Sequence, residues 1–173
     1  MEHIWAPWRM KYVTGERPEG CVFCQAPQEN DDEANLIAYR GVHNYVILNA
    51  FPYNNGHVLV VPFEHLAEVT ELSDPQACEM FWLARMCVKA MQRCMRPDGV
   101  NIGMNVGRAA GAGIEDHLHL HIVPRWNGDT NFMSTIAGTR VVPQSLDECS
   151  RNLAPALLGV IEEDKAARGL QGG

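Results

Sequence analysis

Three of the seven histidines in the sequence, His117, His119 and His121, fall within five residues. In a β-strand, alternate side chains lie on one face, so the three imidazoles would project together, with neighbouring side chains rooted about 6.6 Å apart. Imidazoles placed in this way could supply a nucleophile, proton donors or metal ligands to one site. Leucine and isoleucine alternate with them, which predicts a buried opposite face and argues against a solvent-exposed row of histidines. Pro124 limits how far such a strand can continue as a central one.

Two of the six cysteines, Cys21 and Cys24, form a CxxC motif. This spacing occurs in redox pairs, in half of a zinc site, and by chance. A redox pair of the thioredoxin type is expected at the start of a helix after a core strand, whereas this pair follows a polar turn and precedes an acidic stretch. The position therefore favours zinc, provided that two more ligands exist.

The other four cysteines lie in stretches with apolar periodicity, Cys78, Cys87 and Cys94 in one and Cys149 in another. A free cysteine in such a stretch is typically a small buried hydrophobe, so we expect these four in the core. The amino terminus shows no basic stretch followed by an apolar one, and hence no export signal. We therefore expect reduced thiols in a cytoplasmic protein.

The length of 173 residues suits a single domain, expected over residues 1–168 with a flexible tail at 169–173. Fourteen basic and twenty-one acidic residues give a net charge of −7, which disfavours binding to a nucleic acid duplex. No apolar run approaches the roughly 18 residues of a membrane span. Neither a duplex nor a membrane is therefore expected as a partner.

The elements that would position these residues follow from hydrophobic periodicity. Strand patterns occur at residues 36–40, 45–49, 57–61, 100–105 and 117–123. Apolar residues at helical spacing predict a helix over 73–95 that packs on the core through a stripe including Phe81. A second helix is expected from Ser145, whose spacing to Glu148 is that of a capping box. Strands joined by hairpins, with one long intervening helix, indicate an α+β fold with an antiparallel sheet.

The run His117-Leu-His-Leu-His-Ile-Val123 resembles the signature of the histidine triad (HIT) family, in which three histidines alternate with apolar residues. Residues 56–62, Gly-His-Val-Leu-Val-Val-Pro, resemble the upstream context found in that family. Residues 4–12 and 124–133 resemble the branch that includes bacterial diadenosine tetraphosphate phosphorylases. The resemblance implies a five-stranded antiparallel sheet with one long helix and a C-terminal helix, commonly assembled as a homodimer.

The resemblance also implies a mechanism. His119, the middle histidine, would attack the α-phosphorus of a nucleoside polyphosphate and form a nucleotidyl-histidine intermediate. His121 and His57 would hydrogen-bond the phosphate oxygens and spread the developing charge. Water or phosphate would then release the nucleotide.

Three further positions match substrate contacts of the family. Asn49, eight residues before His57, stands where the family places a ribose-binding Asn or Asp, and Ile47 and Leu59 stand where apolar residues enclose the base. The alternative for Asn49 is that it only ends a strand. The alternative for Ile47 and Leu59 is ordinary core packing.

The loop before the triad departs from the family's better-known hydrolases, which often carry Gly-Gln-Ser or Gly-Gln-Thr there. This chain has Gly-Ala-Gly-Ile-Glu-Asp at 111–116, and the interval from Asn105 to His117 is one residue longer. The backbone N–H groups of Gly111 and Gly113 could cradle a phosphate instead. Asn105 is also expected to contact the substrate. The missing side chain leaves room for phosphate, rather than water, as the acceptor.

The resemblance supplies the two missing metal ligands as well. Family members with an amino-terminal CxxC pair it with the histidine of a Pro-x-x-His segment, here His65, and with the first triad histidine, His117. Together with Cys21 and Cys24 these make a Cys₂His₂ set with no open position, as expected for structural zinc. The zinc-binding segment would span residues 15–30.

The leading hypothesis is thus an enzyme that cleaves dinucleoside polyphosphates such as diadenosine tetraphosphate, by phosphorolysis or hydrolysis. Alternatives are a nucleotide-binding sensor or scaffold with little turnover, and a nucleoside phosphoramidate hydrolase. A metalloenzyme that uses the triad as a catalytic metal site is disfavoured, because His117 already belongs to a closed ligand set.

Overall fold

The computed structural model of the protein describes residues 20–129 and 144–169. Four expected features lie wholly or partly outside these ranges: the family resemblance at residues 4–12, residues 15–19 of the zinc-binding segment, residues 130–133 of the second resembling segment, and residues 170–173 of the tail. None of the helices in the described residues combines the length and apolar composition that crossing a membrane requires.

The described residues form a five-stranded antiparallel sheet with the strand order β1-β2-β3-β5-β4. The strands are β1 (Ile37–Arg40), β2 (Asn44–Leu48), β3 (Val58–Pro62), β4 (Gly99–Met104) and β5 (Leu120–Arg125). The helices are the short α1 (Val22–Gln25), the long α2 (Asp74–Cys94) and α3 (Leu146–Ala167). This architecture confirms the expected α+β fold, with α2 as the long helix and α3 as the C-terminal one.

The two faces of the sheet are covered differently. One face packs against α2 and α3 through Val46, Leu48, Val58, Val60, Leu120 and Ile122. The other face packs against Phe23 and Ala26 through Tyr45, Ile47, Leu59 and Val61. His121 pairs with Leu59 across β3 and β5, so the histidine side chain lies on this second face. The predicted division, with aliphatic residues toward the helices and histidines on the opposite face, is confirmed for β5.

The histidine strand starts later and ends later than predicted. β5 begins at Leu120, so His117 and His119 precede it, and the segment there is held instead by the N–H of Leu118, which donates to the Leu66 carbonyl at 2.6 Å. The strand then continues through Pro124 to Arg125. Pairing with β3 ends at Ile122, so Pro124 lies where only β4 flanks β5, a position that tolerates a residue without an N–H.

The hairpin of β1 and β2 is fixed to α2 by one carboxylate. The Glu79 carboxylate accepts hydrogen bonds from the backbone N–H groups of Val42, His43 and Asn44, each at 2.7 Å. Burial opposes ionisation of Glu79, but these hydrogen bonds outweigh it and lower the pKa of the carboxyl. The turn between the two strands is therefore held by a charged anchor from the long helix.

The predicted helix starts are confirmed. Ser73 is the N-cap of α2 and forms a capping box with Gln76, and Ser145 caps α3 by accepting from the Glu148 N–H at 3.2 Å. α3 continues through Pro155 without interruption. Side chains that lie within three or four residues of each other determine these starts, which is why the sequence predicts them well.

The predicted buried stripe of α2 is partly wrong. Phe81 is 63% exposed, and Cys78 and Cys94 are exposed as well, whereas Leu83 and Met86 are fully buried. The buried face is turned toward Leu83 and Met86 because α2 packs against both the sheet and α3, not against the sheet alone. The other two cysteines expected in the core are buried, Cys87 in α2 and Cys149 in α3.

Candidate functional site

Four donor atoms predicted to bind a metal converge on one point. The ligand atoms of Cys21, Cys24, His65 and His117 all lie within 4.8 Å of one another. Nδ1 of His117 is 3.3 Å from the Cys21 Sγ and 3.5 Å from the Cys24 Sγ, and Nδ1 of His65 is 3.2 Å from the Cys24 Sγ. A tetrahedral zinc ion, with its usual bond lengths, sets neighbouring sulfur and nitrogen donors about 3.5 Å apart. The residues present therefore fit a structural zinc ion.

Three segments far apart in the chain bring these ligands together. Cys21 immediately precedes α1, and Cys24 lies within it, so the first helical turn brings both sulfurs to the same side. His65 follows the end of β3. Nε2 of His117 lies 2.9 Å from the Pro62 carbonyl and donates its proton there, because a carbonyl can only accept. This bond leaves the Nδ1 lone pair of His117 directed at the two sulfurs, the orientation a metal ligand needs.

The ionisation of the set is linked to metal binding, because thiols must lose their protons to act as ligands. Burial, and then the neighbouring Cys21, raise the pKa of the Cys24 thiol. Burial lowers the pKa of His117 more than its hydrogen bond to Pro62 raises it, so the imidazole stays neutral. Two adjacent thiols and neutral imidazoles are stabilised as ligands when a divalent cation compensates the thiolate charges.

His119 is held so that one ring nitrogen is available as a nucleophile. Its Nδ1 lies 2.8 Å from the carbonyl oxygen of His117, so Nδ1 carries the proton and donates it. The lone pair is therefore on Nε2. Burial lowers the pKa of His119 despite this hydrogen bond, which keeps the ring neutral and nucleophilic at pH 7. The Phe23 ring packs against it, with 5.1 Å between ring centroids, and fixes its plane.

The second pair of histidines forms a hydrogen-bonded relay with defined tautomers. Nδ1 of His57 accepts from the backbone N–H of Tyr53 at 3.0 Å and lies 3.3 Å from the amide Nδ2 of Asn49. With donors directed at Nδ1, the proton of neutral His57 is on Nε2, which lies 3.0 Å from Nδ1 of His121 and donates to it. His121 then carries its own proton on Nε2.

The far end of this relay is a buried donor without a partner. His121 is 9% exposed, and its Nε2 has no hydrogen-bond partner among the described residues. Its ring centroid is 4.8 Å from that of His119. A ring with a nucleophilic nitrogen and a ring with an N–H donor are thus neighbours, and such a pair can attack a phosphorus and bind one of its oxygens.

Burial sets the protonation of the relay. It lowers the pKa of His57 to about 3, with additional effects of His121 and His119, and lowers the pKa of His121 to about 4. Both rings are therefore neutral across the physiological range, so the relay acts by hydrogen bonding rather than by carrying a fixed positive charge.

The low pKa values predict a specific pH dependence of stability. The unfolded histidines titrate near 6.5, above the folded values, so the unfolded chain binds more protons and the free energy of unfolding falls as pH decreases below 6.5. We expect His57→Asn to reduce this slope by about 1 kcal/mol per pH unit between pH 6 and 4.5. Urea unfolding of both proteins over this range measures the slope. The Cys and His residues of the metal set are the same in both proteins, so their contribution to the slope cancels in the comparison. Equal slopes for the two proteins would contradict the low pKa of His57.

The predicted nucleoside contacts lie on β2 and β3. Asn49 directly follows β2 and is half-buried; its Oδ1 accepts from the Phe51 N–H at 2.9 Å, and its amide faces His57. Ile47 and Leu59 are 7% and 4% exposed and pack in the cluster around Phe23. The structure thus brings these residues next to the histidines, and their contact with a substrate stays a prediction.

A cavity of about 300 Å³ opens beside His121, on the side of β4. Its lining includes Asn54, Asn101, Asn105, His121, Arg125 and Asp129. Of the predicted loop contacts, Asn105 therefore joins His121 in this cavity, whereas Gly111 and Gly113 are exposed and are not among the residues that line it. Their contact with phosphate also stays a prediction.

Two site residues escape the sequence reasoning. Phe23 packs edge-on against His117, at 5.6 Å between ring centroids, as well as against His119. Tyr53 orients His57 through its backbone and stacks on His121 with its ring, at 5.6 Å. Phe23 lies between the two cysteines of the CxxC motif, and this position could have identified it as a site residue. Tyr53 lies in a turn, and no local pattern distinguishes it.

A five-stranded antiparallel sheet that holds three alternating histidines beside a Cys₂His₂ set defines a histidine triad protein. The comparison with known families agrees: residues 31–128 match the model of the HIT domain. The chain belongs to the HIT family.

Three proteins of the family illustrate the similarity. An AP-4-A phosphorylase of Mycobacterium tuberculosis is 37% identical over 164 residues, covering 89% of this chain and 83% of that protein. An uncharacterised HIT-like protein of Methanocaldococcus jannaschii is 34% identical over 63% of this chain and 81% of its own. A zinc-bound histidine triad protein of Mycobacterium smegmatis has a similar structure, with a TM-score of 0.68 and 29% identity over 83% of this chain and 97% of that chain.

Proposed function

We propose that this protein is an enzyme that cleaves dinucleoside polyphosphates by transferring a nucleotidyl group to His119, with diadenosine tetraphosphate as the expected substrate. The observation that carries the proposal is the pairing of a fixed Nε2 lone pair on His119 with the unpartnered Nε2–H of His121. The similarity to an AP-4-A phosphorylase supports the choice of substrate.

The first step is an in-line displacement at the α-phosphorus. A bond forms between Nε2 of His119 and phosphorus, and the bond from phosphorus to the bridging oxygen breaks, so that ATP leaves from diadenosine tetraphosphate. His119 keeps the proton on Nδ1, and the His117 carbonyl stabilises the positive ring by accepting from it. The Nε2–H of His121 donates to a phosphate oxygen, with His57 holding it in the correct tautomer.

The second step releases the nucleotide. An oxygen of phosphate or water attacks the phosphorus, and the bond to His119 breaks, which gives ADP with phosphate and AMP with water. The loop at 111–116 has no glutamine or hydroxyl side chain, and the similar protein of Mycobacterium tuberculosis is named a phosphorylase. Both observations favour phosphorolysis. We propose that the backbone N–H groups of Gly111 and Gly113 donate hydrogen bonds to this phosphate.

The test is to incubate the protein with diadenosine tetraphosphate, with and without phosphate, and to separate the products. Phosphorolysis gives ADP and ATP and requires phosphate, whereas hydrolysis gives AMP and ATP without it. Cleavage in neither condition contradicts the proposal and favours a binding protein with little turnover. Cleavage only of an adenylylated amine, offered in parallel, favours the phosphoramidate hydrolase.

The proposed cofactor is a structural zinc ion held by Cys21, Cys24, His65 and His117. Bound there, zinc would hold the segment that carries His119, because His117 is both a ligand and the residue whose carbonyl accepts from His119. The thiolates that this set needs are consistent with the reducing cytoplasm expected from the sequence.

We also propose the homodimer that the family resemblance implies. β4 is an edge strand of the sheet, and Ile102 on it is 46% exposed. An exposed strand edge is a natural pairing surface for a second copy. Light scattering that gives a mass near 19.3 kDa, the mass of one chain, instead of twice that value would contradict the dimer.

A further inference from the structure

We infer that the cavity between His121 and β4 binds the departing nucleoside of the dinucleotide, and that this protein therefore prefers dinucleotides to mononucleotides carrying the same phosphate chain. This inference rests on the proposed function. It concerns the half of the substrate that no predicted site residue on β2 or β3 contacts.

The order of the strands places the cavity on the correct side of the reacting atoms. The predicted nucleoside contacts Ile47, Asn49 and Leu59 lie on or next to β2 and β3, while β5 lies between β3 and β4. A substrate whose reacting phosphorus is at His119 therefore has one nucleoside toward β2. The rest of its phosphate chain then extends past His121 toward β4.

The cavity is built to receive a ligand rather than being a surface irregularity. His121 lines it and is 9% exposed, and the buried Nε2–H of this residue, which the proposed function assigns to a phosphate oxygen, has no partner among the described residues. A volume of about 300 Å³ lies at the lower end of the range for pockets that hold whole small molecules, and exceeds what one phosphate needs.

The lining suits a neutral, polar ligand such as a nucleoside better than a bare anion. The Arg125 guanidinium donates to both carboxylate oxygens of Asp129, at 2.6 and 2.7 Å, so its charge is balanced within the cavity wall. Asn101 and Asn105 add amide groups that both donate and accept. Base edges and ribose hydroxyls are also donors and acceptors, whereas inorganic phosphate would gain little net attraction here.

Gly103 provides a direct way to block the cavity. It pairs with His121 across β4 and β5, so its side-chain position faces the same side as the histidine. A Cβ at this position would meet no other heavy atom within 4 Å, and Gly103 lines the cavity. Gly103→Leu therefore fills the cavity without displacing the strand. Gly99 is the matched control, because a Cβ there also meets nothing within 4 Å and it is not among the lining residues.

The experiment compares diadenosine tetraphosphate with adenosine 5′-tetraphosphate, which has the same phosphate chain but no second nucleoside. kcat/KM is measured for both substrates with the wild type, Gly103→Leu and Gly99→Leu. We expect the wild type to prefer the dinucleotide at least tenfold, Gly103→Leu to lower that ratio at least tenfold, and Gly99→Leu to keep it within twofold, since remote binding energy is used in the transition state.

Each other outcome has a defined meaning. A wild-type preference below threefold, or a ratio that Gly103→Leu leaves unchanged, overturns the cavity assignment while leaving the proposed function intact. If the wild type cleaves the dinucleotide alone, the inference holds only when Gly103→Leu lowers its kcat/KM at least tenfold. If the wild type cleaves neither substrate, the proposed function fails and the inference fails with it.

Discussion

Replacing His119 by alanine is expected to lower kcat for dinucleotide cleavage by about 10⁴-fold or more, while the metal content stays at the wild-type value. The proposed nucleophile has no substitute in the site, because the proton on Nε2 makes His121 a donor and His57 is engaged through both ring nitrogens. A loss of this size is typical when the attacking group itself is removed. Product formation measures the first effect, and elemental analysis of the purified variant measures the second.

Two further measurements make this result specific. His43→Ala is the matched control, since His43 lies in the turn between β1 and β2, and we expect its kcat to stay within twofold of wild type. Mass spectrometry of the quenched reaction should show a nucleotidyl adduct on the wild type and on His43→Ala only. Loss of the metal together with activity in His119→Ala would contradict the assignment and support a triad that binds a catalytic metal instead.

Removal of one proposed metal ligand is expected to give the second large effect. Cys24→Ser should leave almost no bound zinc and lower the free energy of unfolding by about 4 kcal/mol, which corresponds to a Tm lower by roughly 8–16 °C. The reason is that Cys24 lies between the two ligand histidines, so the variant loses the sulfur that is close to both. Calorimetry and metal analysis of the same samples provide the two measurements.

The exposed thiol of Cys78 supplies the control for this experiment. Cys78→Ser makes the same chemical change on α2, outside the ligand set, and should alter neither the zinc content nor the Tm by more than about 2 °C. A strong chelator added to the wild type should reproduce the Cys24→Ser result. Wild-type protein that is fully active and equally stable without metal would contradict the structural role of zinc.

The features that were predictable from the sequence are those with local causes. Ser73 and Ser145 cap their helices because each hydroxyl reaches a residue three positions later in the chain. The strand patterns located β1 to β4 to within a residue or two, because short runs of β-branched and other apolar residues bounded by turn residues are typical of strands, here with β2 and β3 buried at every position. The CxxC motif indicated the two cysteine ligands locally, whereas the two histidine ligands followed from the family resemblance, since nothing local connects Cys21 with His117.

The errors of prediction come from contacts between distant segments. Phe81 is exposed because α2 divides its buried surface between the sheet and α3, and helical spacing alone cannot show that second neighbour. His119 precedes β5 because Leu118 pairs with Leu66, outside the sheet. Pro124 remains within β5 because pairing with β3 has already ended there. Hydrophobic periodicity describes the side chains of one segment and carries no information about which other segments pack against it.

The reactive groups of this protein are visible in its primary structure: three alternating histidines, a CxxC motif and a fourth histidine at position 57. The protonation state of each ring depends instead on contacts between distant segments. The His117 carbonyl places the proton of His119 on Nδ1, and the Tyr53 N–H places that of His57 on Nε2. The physical reason is that a tautomer depends on which donor or acceptor faces each nitrogen, and burial excludes the water that would otherwise supply both.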